Sequence, residues 1–170
     1  NTTLLRLESL DIGAIKDLAL SNTSGQLGRP VASLSFGLNY YFFGDGPFSY
    51  KLTNLVIHLG CGLFIFLIAR RVLSMTSTRP TGDAVILIAP LVAAGFWLLH
   101  PVNVSTILYV VQRMAQLSTF FCLVAFWLFV RWRQGLLEVP EAPRAWPSWA
   151  AIATFLALAL LSKENAALFP

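Results

Sequence analysis

The sequence predicts an all-α, polytopic membrane helix bundle, about four transmembrane helices forming a fragment of a larger fold, preceded by a loop of short interfacial helices. Two observations carry this. Of 170 residues, 56% are hydrophobic and 12% charged, with a mean hydropathy of +0.69, against about 25% charged residues in a soluble domain. The deficit is also concentrated: runs free of Asp, Glu, Lys and Arg cover 52–69, 84–112, 114–130 and 145–162. A helix spanning a bilayer needs roughly 17–25 apolar residues.

Taken in order, residues 1–47 read as an extracytoplasmic loop with short amphipathic helices, and 48–170 as the bundle. Within the loop, Ser21 to Gly28 is turn-rich, and Pro30 suits the first turn of a helix running to about Phe43. The apolar and aromatic side chains of that helix, among them Phe36, Tyr41, Phe42 and Phe43, suit a bilayer interface. A turn at Gly44, Asp45, Gly46 and Pro47 leads into a long helix over about 48–73. The next run is too long for one upright span and is interrupted at His100-Pro101. It therefore predicts a helix over 84–99, kinked at Pro90, and an outer re-entrant or interfacial stretch over 100–113. Two more helices follow at 114–132 and 147–162, the last opened by Trp146, Pro147 and Trp149 as an aromatic belt at the cytoplasmic surface.

Composition also excludes classes. A disordered or nucleic-acid-binding chain needs abundant charge and few aromatics, whereas 13% of this one is Phe, Trp or Tyr, so no nucleic-acid partner is expected. Cys61 and Cys122 fall inside predicted membrane helices, which supports neither a disulfide framework nor a zinc site. Phosphate-binding loops, HExxH and nucleophile-elbow patterns are absent, and no cleavable signal peptide is visible. The sequons at Asn1, Asn22 and Asn103 matter only in a eukaryotic secretory setting. Asn1 at the start and Ala167 to Pro170 directly after a helix end read as part of a longer chain.

Arginine placement sets the orientation, because cytoplasmic loops collect Lys and Arg near helix ends. Arg70, Arg71 and Arg79 form one such cluster, and Arg131, Arg133 and Arg144 the other. Residues 1–50, about 100–113 and 163–170 are then extracytoplasmic. Three polar clusters fall on that side: Lys51, Asn54 and His58; His100, Asn103, Gln112, Arg113 and Gln116; and Ser162, Lys163, Glu164 and Asn165. The first follows the i, i+3, i+7 spacing of one helix face. Polar groups at membrane depth are costly unless they serve a site or a partner. Convergence of Lys51, Arg113 and Lys163 makes a pocket suited to a phosphate or pyrophosphate, since Arg and Lys supply charge-assisted donors. Under the plainer alternative, Asn54 and His58 hydrogen-bond neighbouring helices, Arg113 and Lys163 snorkel to head groups, and Glu164 pairs with Lys163.

A set of ordered strings carries a resemblance: Arg29-Pro30, Ser35-Phe36, Leu38-Asn39-Tyr40, Asn54 with His58, His100-Pro101-Val102, Arg113, and Ser162-Lys163-Glu164. Together they resemble the transmembrane and tetratricopeptide-repeat-containing O-mannosyltransferases and their bacterial relatives, polytopic glycosyltransferases of the GT-C class. The resemblance spans about residues 29 to 165. It implies a sugar donor carried on a polyprenyl phosphate, an acceptor protein or glycan, and transfer on the extracytoplasmic side. It also implies an acidic pair just after a preceding membrane helix, expected here before Asn1; Glu8, Asp11 and Asp17 read instead as the solvated face of a short helix. Animal members have His and Glu after the His-Pro motif and an acidic residue after the later Arg. Here Asn103, Ser105 and Ala115 occupy those places. The departures favour a bacterial relative in the inner membrane using undecaprenyl phosphate, with residues 1–50 periplasmic; a eukaryotic chain would lie in the endoplasmic reticulum membrane.

On that reading Arg29, Lys51, Arg113 and Lys163 are the candidate cations for the leaving phosphate. Asn54 and Gln112 hydrogen-bond the substrate, and His58 and His100 orient groups or handle protons. Glu164 assists the unseen acidic base. No metal ligands are assigned, and a divalent metal requirement is left open. Two competing readings are a transporter or flippase for an anionic lipid or solute, and a non-catalytic scaffold for a repeat domain. The first favours repeated helix sets with midplane polar groups; no repeat is seen.

Overall fold

Apolar runs this long, in a chain with so few charges, have one stable local solution, the helix, which satisfies every backbone group within its own segment. In the computed structural model, which describes residues 7, 11–20, 28–76, 83–138 and 146–168, no strand occurs among those residues. The helices are α1 (Ile12–Leu20), α2 (Pro30–Phe43), α3 (Pro47–Thr76), α4 (Asp83–Leu99), α5 (Val102–Leu108), α6 (Arg113–Glu138) and α7 (Trp146–Ser162), with 3-10 turns at Val110–Gln112 and Glu164–Leu168. Glu8, Arg6, Arg79, Arg144 and the sequons at Asn1 and Asn22 lie outside the described residues.

Local chemistry explains the boundaries. Pro30 starts α2, where its missing N–H costs nothing. Arg29 just before it takes left-handed dihedrals (φ 51°, ψ 52°), which an L side chain adopts at a cost. Gly44 closes α2 with φ 70°, its N–H donating to the Tyr40 carbonyl at 2.8 Å. The break after α4 falls at His100-Pro101, and α4 and α5 meet there at a bend of 63°. The carbonyl of Trp97 near the end of α4 accepts from the His100 N–H at 3.3 Å and from the Asn103 side chain at 2.6 Å, so Asn103 ties the first turn of α5 back to α4.

Length and apolarity let α3 and the Val110–Leu136 stretch cross a bilayer, and the bent α4–α5 pair makes a third span if it counts as one. The fourth expected span, α7, is apolar but has 17 residues, at the short end of the usual range. Large apolar side chains point outward along α3 (Val56, Leu59, Leu63) and α4 (Ile88, Leu91, Val92, Phe96). Contiguous exposure on that scale suits lipid rather than water. The chain is thus an integral membrane protein.

Inside, α3 packs on both α4 and α6, and α6 packs on α7. Gly62 permits the α3–α4 contact: a Cβ there would lie 2.6 Å from the Leu98 side chain. The two ends of the bundle differ. At one end Arg71 donates to Gln134 at 2.9 Å, Arg71 and Arg131 lie over Trp127, and Trp132 meets Trp149 edge-on. The other end gathers the starts of α3 and α6, the α4–α5 break and the end of α7, so all three polar clusters share it.

Candidate functional site

Arg113, at the first position of α6, is completely buried. Its Nε donates to Asn54 Oδ1 at 2.8 Å, Nη1 to the Ser35 carbonyl at 3.3 Å, and Nη2 to Asn39 Oδ1 at 3.0 Å and the Tyr50 carbonyl at 2.8 Å. The guanidinium lies 4.7 Å from the Phe36 ring centroid and 5.4 Å from that of Tyr50. Four of the five N–H donors of an arginine are therefore committed to this chain's own oxygens. Asn39 also accepts from Thr53 at 2.7 Å and donates to Ser49 at 3.1 Å. Asn54 donates to the carbonyls of Ile107 and Tyr109, both at 3.3 Å. One guanidinium on α6 thus joins α2 and α3, and Asn54 extends the network to α5 and the turn before α6.

The common pocket of Lys51, Arg113 and Lys163 is not what this geometry shows. All three lie at one end, but in different surroundings: Arg113 is enclosed by its hydrogen bonds, Lys51 is exposed near the start of α3, and Lys163 is half-buried beside a separate cavity. Asn54 and His58 follow the plainer alternative and bond to neighbouring backbone. His58 is buried with Nε2 3.1 Å from the Leu98 carbonyl; a carbonyl only accepts, so Nε2 carries the proton. Its ring stacks on Trp97 with centroids 4.8 Å apart. His100 is exposed at the break, where its Nδ1 accepts from the Val102 N–H at 3.3 Å. Gln112 sits half-buried in the 3-10 turn before α6.

Glu164 is paired with Arg29, not Lys163: Nη2 of Arg29 reaches Oε2 of Glu164 at 3.1 Å, and Nη1 meets the Met114 sulfur at 3.4 Å. This contact ties the start of α2 to the end of α7 across 135 residues.

Two cavities open at this end. The larger, about 380 Å³, has Lys163, Asn165, Ser118 and Thr119 as polar lining and Leu123 and Ala166 among its apolar lining. The smaller, about 170 Å³, is lined by His58, Trp97, Asn103, Thr106 and Gln116. Ala115 and Thr119, one turn apart on α6, line both. Among the described residues no three His, Cys, Asp or Glu side chains group to hold a metal ion. The sequence does not reveal the roles of Asn39, Trp97, Ser118 and Thr119, although Asn39, the one side-chain amide in α2, is a signal.

A cation beside an apolar-lined cavity in a membrane bundle suits an amphiphilic anion, and known proteins add to that. The chain is 30% identical over 138 residues to the protein O-mannosyl-transferase Tmtc1 of Drosophila melanogaster, covering 81% of this chain and 14% of that protein. Identity is 26% over 137 residues to human TMTC3, covering 81% of this chain and 13% of the relative. It is 28% over 150 residues to human TMTC4, covering 85% and 20%. The chain is similar to the TMTC protein O-mannosyl-transferases. It spans a fifth or less of their length. No family model matches the chain, and no solved structure does.

Proposed function

We propose that the chain is part of a GT-C-class membrane glycosyltransferase that moves a sugar from a polyprenyl-phosphate carrier to an acceptor hydroxyl on the extracytoplasmic side. The observation that carries this is the Lys163 cavity, where an ammonium and three polar side chains meet an apolar lining, as a lipid phosphate requires. Similarity to O-mannosyl-transferases over 81–85% of this chain supports it. The arginines of the opposite end support a cytoplasmic assignment for that end and an outer one for the cavities.

In the reaction the acceptor oxygen bonds to the anomeric carbon while the bond from that carbon to the phosphate oxygen breaks. The phosphate leaves with the electron pair, and the acceptor's proton passes to a carboxylate. Lys163 offsets the charge growing on the leaving phosphate. Glu164, flanked in sequence by the cavity residues Lys163 and Asn165, is the carboxylate assigned to assist the base, with Arg29 fixing its orientation. Arg113 and Asn54 are positioning residues, since their polar atoms hold the chain together. Lys51 and His100 line neither cavity and receive no role.

Turnover by the full-length protein, reconstituted with a labelled polyprenyl-phosphate hexose and an acceptor, tests this. Lys163→Ala is expected to lower the rate about 100-fold or more, the usual effect of removing one preorganised charge-stabilising donor, with an unchanged melting temperature. Unaltered turnover in that variant overturns the role of the cavity, and binding without turnover in the native protein favours the scaffold.

A further inference from the structure

Arginines at the two ends of the bundle are used differently. Arg113 has four donors committed to the chain's own oxygens and Arg29 pairs with Glu164, whereas Arg70, Arg71, Arg131 and Arg133 take part in no ion pair among the described residues. Those four gather where two apolar runs stop. α3 and α6 run in the same direction, and their charge-free stretches, 52–69 and 114–130, each extend about 26 Å at 1.5 Å per residue, close to the roughly 30 Å of a bilayer's hydrocarbon core. Arg71 and Arg131 therefore both reach head-group depth, the level that Trp132 and Trp149, edge-on at 4.9 Å, also mark. The two meet at one ring: the guanidinium carbon of Arg71 lies 5.7 Å from the Trp127 centroid, and that of Arg131 5.5 Å.

We infer that this end of the α3–α6 pair is a binding site for the head group of an anionic phospholipid in the adjoining leaflet, with Arg71 as its principal ligand. None of these residues lines either cavity, so the inference stands apart from the donor reading. Arg71 is half-buried and held in place: Nη1 donates to Gln134 at 2.9 Å, and the guanidinium lies over Trp127. Its Nε–Nη2 edge makes no hydrogen bond among the described residues. Two parallel N–H groups on such an edge match two oxygens of a phosphodiester, and a guanidinium already fixed by its neighbours loses little freedom in the contact.

Charge and apolarity select the occupant. Phe126 and Phe129, exposed on α6 in the turns before Arg131, offer surface to acyl chains, which a soluble anion lacks. Among phospholipids, a zwitterionic head group brings its own ammonium to a rim of unpaired cations, whereas an anionic one leaves its charge for the arginines. Arg131, exposed beside the same ring, adds to that attraction.

Native mass spectrometry of the full-length protein, with equimolar dioleoylphosphatidylglycerol and dioleoylphosphatidylcholine, tests this. Native protein is expected to retain phosphatidylglycerol about tenfold more tightly, the scale of two arginines acting on one anionic head group. Arg71→Gln is expected to reduce the preference to about twofold, and Arg131→Gln to reduce it in part. Melting temperatures in phosphatidylcholine nanodiscs establish that each variant is folded; should Arg71→Gln fail to fold, the exposed Arg131→Gln decides, and an undiminished preference there overturns the site. Arg70→Gln removes the same charge one residue away, outside the Trp127 cluster, and is expected to stay within about twofold of native. Equal losses in Arg70→Gln and Arg71→Gln would reduce the four arginines to a diffuse cationic rim and overturn the site, as would full preference in folded Arg71→Gln or none in native protein. Displacement of phosphatidylglycerol by millimolar inorganic phosphate would identify a free-anion site and overturn the lipid assignment.

Discussion

Asn54 and Arg113, 59 residues apart, meet through a 2.8 Å hydrogen bond from the guanidinium Nε to the amide oxygen. The amide nitrogen of the same Asn54 reaches the carbonyl of Ile107 in α5 and that of Tyr109 at the start of the turn that delivers Arg113 to its place. Each residue therefore holds the other's surroundings: α3 fixes the approach to α6, and α6 returns a cation that anchors α2 and α3. In a bilayer such an arrangement places the charge among oxygens and aromatic faces rather than acyl chains.

Arg113→Ala leaves the acceptors at Asn54, Asn39, Ser35 and Tyr50 without their donor, and is expected to destabilise the full-length protein by about 3 kcal/mol or more. Arg113→Lys restores the charge but not the fork, because an ammonium cannot reach four oxygens laid out around a plane. Thermal unfolding in detergent should show both variants well below the native protein. A native-like melting temperature for Arg113→Ala would show that the hydrogen bonds are dispensable, and would return Arg113 to the list of candidate donor ligands.

Several of these relationships were readable from the chain alone and several were not, for physical reasons. Bilayer thickness imposes a minimum length, so the apolar runs announced helices where α3, α4, α6 and α7 lie, although α6 continues to Glu138, past the expected end at 132, and the restriction that proline places on its predecessor announced the break at His100. Which polar group meets which is a tertiary fact. Lys51 shares a helical face with Asn54 and His58, yet it lies nearer the start of α3 and stays exposed while the other two are covered. Lys163 and Glu164 are neighbours in the chain, but consecutive residues at the end of a helix project in different directions, and Glu164 finds Arg29 instead. Arg113 looked like a phosphate ligand because a sequence displays a charge without displaying the oxygens that already occupy it.

Arg29 allows a separation of backbone from side-chain effects. Its φ of 51° favours glycine, while its guanidinium holds Glu164 at a site about a quarter to a third exposed. Arg29→Ala loses the ion pair and keeps the backbone cost, whereas Arg29→Gly loses the pair and relieves it. The glycine variant is expected to be the more stable of the two by about 1 kcal/mol, and the pair itself to contribute about 1 kcal/mol or less. A double-mutant cycle with Glu164→Gln measures the second figure. Equal melting temperatures for the two Arg29 variants would mean that the left-handed residue is not strained in solution.

Orientation can be read by labelling. The native thiols Cys61 and Cys122 are buried, so cysteines introduced at exposed Gly46, in the turn before α3, and at exposed Arg70, near its far end, report separately. With the cavities on the outer face, a membrane-impermeant maleimide is expected to label Gly46→Cys in intact cells and Arg70→Cys only after permeabilisation. The reverse pattern would put the Lys163 cavity on the cytoplasmic side and remove the extracytoplasmic transfer from the proposal.

Thr119 gives the sharpest test of whether the two cavities act as one site. It is exposed, its side chain is not required by any core contact described above, and it lines both spaces together with Ala115. Thr119→Leu adds apolar bulk at the shared lining, and because the position is exposed the change should alter stability by no more than about 0.5 kcal/mol. If a bound donor lies along that strip and uses both spaces, the added carbon atoms stand in its way. Affinity for the hexose-bearing carrier should fall at least as far as affinity for the bare carrier, with the melting temperature held. Thr119→Ser, smaller and still polar, should leave both affinities near native. If Thr119→Leu bound the hexose-bearing carrier normally, the two cavities would be independent, and the donor would have to enter by a route that does not pass α6 at this turn.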